Sequence, residues 1–127
     1  MSEFATVDQP VARAVAPDGS NVQVLLKLAG GGMARFQLPG GETSKAVVHQ
    51  TVEEIWLVIS GAGQMWRRRQ DREETVSLEP GVCLTIPLGT RFQFRASQDL
   101  SVVAVTMPPW PGDDEAVLVQ GPWVPTV

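Results

Sequence analysis

The 127-residue chain has no tyrosine, one histidine (His49) and one cysteine (Cys83). Catalytic roles are scarce from the start, and any imidazole chemistry must pass through His49. A single cysteine cannot form an internal disulfide and supplies no Cys-rich zinc site. No apolar run approaches the ~20 residues of a membrane span. Ten Lys and Arg stand against fourteen Asp and Glu, a net charge of −4, whereas a nucleic-acid binder needs a basic face. The polar, acidic start MSEFATVDQP reads as no signal peptide, so the cytoplasm is the expected location. What is present is globular: 43% apolar and 19% charged residues, enough for one domain with a single core.

The apolar pattern is that of strands. Val22, Val24, Leu26 and Leu28 alternate along 21–28, which predicts a half-buried strand. Further strands are predicted over 33–38, 46–50, 54–60, 64–69, 75–78, 82–86, 91–95, 100–107 and 116–120. Between them lie turn residues: Gly30-Gly31-Gly32, Pro39-Gly40-Gly41, Gly61-Ala62-Gly63, Glu79-Pro80-Gly81 and Pro87-Leu88-Gly89. No window has a helical period. About ten short strands in one domain imply an all-β double-sheet jelly-roll barrel. Residues 1–20 read as an N-terminal arm, 21–120 as the barrel and 121–127 as a tail.

The stretch from Gly41 to Gly61 holds His49 and the adjacent carboxylates Glu53 and Glu54. Its spacing is Gly41, five residues, Val47, one residue, His49, four residues, Glu54, six residues, Gly61. A second set runs Gly81, five residues, Pro87, one residue, Gly89, then Phe92 and Ala96. These landmarks resemble the two motifs of the cupin superfamily, with Val47 and Phe92 where two histidines belong and Ala96 where an Asn belongs. The resemblance implies a double-stranded β-helix of the RmlC-like, single-domain cupin type, with a central pocket. It also implies a divalent metal (Fe, Mn, Ni or Zn), of whose ligands only His49 and Glu54 remain. Two protein ligands fall short of the usual three or four, so the expectation is a degenerate metal site and no cofactor.

Alternation places Val47, His49, Glu54, Trp56, Phe92 and Phe94 around the pocket, with Glu53 outward. Desolvation there should raise the pKa of Glu54. The favoured expectation is a small-molecule-binding protein. The alternatives are a metal-dependent cupin enzyme (dioxygenase or sugar isomerase/epimerase) using His49 and Glu54, and a metal-free acid/base enzyme using the same pair.

Other residues carry lesser expectations. Arg68 with Gln64 and Trp66 could face inward and bind a carboxylate, and Arg35 and Gln37 could sit at the pocket mouth. Cys83 is expected to be a buried, inert thiol. Trp110 and Trp123 should pack over a sheet or a neighbouring subunit. Outward Ile55, Leu57 and Ile59 need a cover, and cupins are commonly homodimers. No nucleic-acid or membrane partner is expected.

Overall fold

The computed structural model describes residues 4–8 and 13–127. Among the described residues, nine strands and one 3-10 turn, Asp113–Glu115, follow in order: β1 (Ala14–Val15), β2 (Asn21–Leu28), β3 (Gly31–Leu38), β4 (Val47–His49), β5 (Glu53–Arg69), β6 (Arg72–Leu78), β7 (Cys83–Ile86), β8 (Arg91–Met107) and β9 (Ala116–Leu118). All hydrogen-bonded strand pairs are antiparallel, in the order β1-β2-β3-β8-β4-β9, while β5 pairs with β6, β7 and β8. The result is the expected all-β jelly-roll barrel. No described helix is long and apolar enough to cross a membrane.

Two strands run further than the sequence predicts. The predicted 54–60 and 64–69 are one strand, β5, and 91–95 and 100–107 are one strand, β8. Gly61-Ala62-Gly63 therefore bends a strand instead of reversing the chain, and the register with β8 shifts three times between Val58 and Gly63. The reason is steric. A Cβ on Gly61 would stand 2.0 Å from the Asp99 carbonyl oxygen, and one on Gly63 would stand 2.1 Å from that of Arg95. Glycine lets the two backbones approach through the bulge, so pairing continues across it. Likewise Gly31 and Gly32 belong to β3, and only Ala29-Gly30 makes the turn.

Alternation on β5 is regular: Glu54, Trp56 and Val58 are buried, while Glu53, Ile55, Leu57 and Ile59 are exposed. Of the inward set, Trp56 and Val58 join Leu38, Met65, Leu78, Ile86, Phe94 and Val102 in one core. Cys83 lies on the outer face and is exposed, contrary to expectation. It pairs with Leu57, which also points outward, while its neighbours Leu84 and Ile86 take the buried positions of β7.

Gln93 is fully buried and fastens the tail. Its Nε2 donates to the carbonyls of Ser44 (2.7 Å) and Trp123 (3.0 Å), and its Oε1 accepts from the Trp123 N–H (3.2 Å). Leucine at position 93 would leave those buried groups unpaired, at a cost of ~1–3 kcal/mol. Gln93→Leu should lower the urea midpoint and expose residues 119–127 to carboxypeptidase. An unchanged digestion rate would show that the tail is held by other contacts.

Candidate functional site

The site lies where β4 and the first half of β5 face each other across the barrel. Strand β4 pairs with β8 through Val47 and Phe92, and with β9 through His49 and Ala116. Strand β5 pairs with β8 through Glu54 and Thr106, and through Trp56 and Ala104. With a period of two, Val47, His49, Glu54 and Trp56 all turn inward. Strands β2 and β3 close the opposite wall with Val22, Val24 and Phe36. The cavity between them, open to solvent on one side, has a volume of about 610 Å³.

At its centre His49 Nδ1 lies 3.5 Å from Glu54 Oε2 and makes no hydrogen bond. The other oxygen, Glu54 Oε1, accepts the Trp56 indole N–H at 2.6 Å. Aromatic rings fix the geometry. Phe36 stacks on Trp56 with centroids 5.7 Å apart and planes 9° from parallel. Phe92 meets both His49 (5.2 Å) and Trp56 (6.2 Å) edge-on, and Trp110 meets His49 edge-on at 5.0 Å.

The electrostatics follow from burial. Loss of water pushes Glu54 up to about 7, with a further push from the negative charge of Asp18, against the Trp56 N–H. The same loss of water lowers His49 to about 4, with Glu115 opposing. Between those values both groups are mainly uncharged, and no ion pair forms. Above them a carboxylate stands beside a neutral imidazole. Asp18 is also raised, because burial outweighs the Ser20 hydrogen bonds and the charge of Lys45. Burial would raise Glu115 too, but Thr51 and Val52 donate to it and hold it below its usual value, helped by His49.

Of the six residues expected at the pocket, five line it: Val47, His49, Glu54, Trp56 and Phe92. Phe94 stands behind Trp56, edge-on at 5.1 Å, in the core and not on the cavity wall. Arg68 is exposed, and Trp66 donates its N–H to Glu73 at 2.6 Å, away from the cavity. Neither Arg35 nor Gln37 reaches the lining. Asp18, Phe36, Thr106 and Trp110 are among the lining residues that the sequence did not point to. Asp18 precedes a glycine and reads as turn chemistry. Trp110 sits in a proline-rich turn whose path over His49 has no local signal.

The donor set does not fit a resident metal. One imidazole nitrogen and one carboxylate oxygen converge, and Val47 and Phe92 fill the flanking positions with hydrocarbon. Among the described residues no group of three or more His, Cys, Asp or Glu side chains could hold an ion.

The sequence matches the cupin domain model over residues 34–108, more than half of the chain, and the protein belongs to that family. No curated protein matches the sequence. Solved structures share its fold. The capsular polysaccharide assembling protein CapF of Staphylococcus aureus superposes with a TM-score of 0.75 at 16% identity, over 90% of this chain and 33% of CapF, so the chain spans a third of that protein. A variant of Streptomyces Pac13 with uridine gives 0.74 at 15% identity, over 94% of this chain and 92% of that one. Pac13 is a nucleoside dehydratase. KdgF from Halomonas gives 0.68 at 14% identity, over 87% and 97% of the two chains.

Proposed function

We propose that the protein binds a small molecule with a flat, largely apolar body in the barrel cavity, using His49 and Glu54 as its polar anchor. The observation that carries this reading is His49 Nδ1, a buried polar atom without a partner in an aromatic-walled cavity of about 610 Å³. Such a volume suits a ligand of drug or nucleoside size, with a few polar groups fixing its orientation. The Pac13 structure with uridine supports the reading, since a planar base on a sugar is accommodated by a protein of this fold. Calorimetric titration with uridine and with indole tests it. Saturable binding of at least one is expected, and Ala34→Trp, which fills the cavity from β3, should abolish it. Binding that survives Ala34→Trp, or none at all, would refute the reading.

A second reading, metal-free acid/base chemistry, is favoured by Glu54 alone. A carboxyl held near 7 can both give and take a proton at neutral pH. Elimination of water, the reaction of Pac13, calls for such a group. An activity of this kind should show an inflection near the Glu54 value that disappears in Glu54→Gln. A metal-dependent reaction has the weaker support, given the two-donor set.

The exposed apolar row of Ile55, Leu57, Ile59 and Met33 supports a homodimer in which a second copy covers this sheet face. The free, exposed thiol of Cys83 suits a reducing cytoplasmic compartment.

A further inference from the structure

The charges around the cavity are one-sided. Its lining includes three carboxylates, Asp18, Glu54 and Asp113, and one cation, Lys27. Lys27 and Asp113 are exposed at the mouth, whereas Asp18 and Glu54 are buried, 6% and 3% exposed. No basic side chain lines the inner part. His49, 7% exposed, lines the same space, and its Nδ1, 3.5 Å from Glu54 Oε2, has no hydrogen-bond partner. Burial also holds both acids above their ordinary values, and the charge of Asp18 acts on Glu54. The inner cavity thus gathers acceptors and lacks a cation.

We propose that the cavity selects a primary ammonium carried on a flat apolar body. The ammonium lodges against Glu54 Oε2 and His49 Nδ1, with the charge of Asp18 acting on the same place, and the body lies among Phe36, Trp56, Phe92 and Trp110. This inference rests on the small-molecule reading above and specifies its ligand. Three arguments support it. An ammonium has three donors and no acceptor, which matches the acceptors present. The 3.5 Å between Nδ1 and Oε2 is too long for a good hydrogen bond between them, yet leaves both free to accept from one nitrogen when the ring proton is on Nε2. Finally, ring faces of Trp and Phe attract a cation that has been stripped of water. A ligand carboxylate would meet two like charges, and a hydroxyl would offer one donor for several acceptors.

Phenethylamine, phenethyl alcohol and phenylacetate share one body and differ in charge, so they isolate the anchor. Titrated at about pH 8, where the amine is still protonated, each is followed by quenching of tryptophan emission from Trp56 and Trp110. The amine should bind about tenfold more tightly than the alcohol, and phenylacetate the most weakly of the three. Glu54→Gln and Asp18→Asn should each bring the ratio of amine to alcohol affinity close to one, and a near-UV circular dichroism spectrum like the parent's reports an intact cavity. The inference is overturned if the alcohol or phenylacetate binds as tightly as the amine. It is equally overturned if the amine keeps its advantage in Glu54→Gln. Should none of the three bind while uridine or indole does, this inference falls and the small-molecule reading stands; should none of the five bind, both fall.

Discussion

Gly61→Ala is expected to lower stability by about 3 kcal/mol or more, a large share of the ~5–15 kcal/mol typical of a folded domain. Two costs combine there. At φ +90° an L side chain is strained, a penalty of ~1–2 kcal/mol. The new methyl would also stand 2.0 Å from the Asp99 carbonyl oxygen. That atom is backbone in the middle of the β5–β8 ladder and cannot swing aside. Gly41 provides the control: its φ is +89°, and nothing lies within 4 Å of a Cβ there. Urea denaturation of the two alanine variants separates conformational strain from collision. Gly41→Ala should show only the strain. Equal losses at both sites would mean that the bulge relaxes and that the close approach is not a constraint.

The second large effect is a pair of opposed pH dependences. The folded state raises Glu54 from 4.5 to about 7, so folding takes up a proton there. Its contribution is fully present below the unfolded value and is lost as pH rises through the folded one. His49 is lowered from 6.5 to about 4, so folding expels a proton there, and stability from it grows as pH rises across that window. Each shift corresponds to about 3 kcal/mol across its range. Between the unfolded value of Glu54 and that of His49 the two slopes cancel. Single variants should unmask them. His49→Gln should lose stability steadily as pH rises through the Glu54 window, and Glu54→Gln should gain it as pH rises through the His49 window. Urea midpoints from about pH 4 to pH 8, compared with the parent, provide the measurement. Asp18 and Glu115 titrate in all three proteins and largely drop out of the differences. Curves that run parallel to the parent in both variants would mean that neither group has a shifted pKa.

Much of this architecture was legible because it is enforced locally. Gly41, Gly61, Gly81 and Gly89, the glycines of the two spaced motifs, all adopt positive φ in the structure. Such positions strongly favour glycine, so the backbone leaves a readable mark in the chain. The inward set on β4 and β5 was legible for a similar reason: a strand's two faces alternate, and Glu54, Trp56 and Val58 fall on one of them. What escaped depends on closure of the barrel. Asp18 and Val22 reach the cavity only because β2 pairs with β3 and β3 with β8, contacts that no local window contains. Phe94 shares the inward face of Phe92, yet Trp56 lies between it and the cavity. The sequence reports the face of the sheet but not the depth along it. Arg68 failed in another way, since a one-residue error in phase moves a side chain to the opposite face.

The ladder between β5 and β8 also bears on the order in which the molecule assembles. Its pairs run from Arg68↔Arg91, the closest in sequence, to Glu53↔Met107, the most distant. Closing the shorter loop costs less chain entropy, and each further pair is then nearly local. Zipping therefore favours a start at the arginine end, with β6 and β7 in the intervening loop, and progress past Gly63 and Gly61 toward Glu54. The pairing that aims Glu54 at His49 would be among the last to form and the first to fray. Amide exchange should accordingly be faster at Glu54 and Thr106 than at Met65 and Phe94, which places the most adaptable part of the barrel at its candidate binding site.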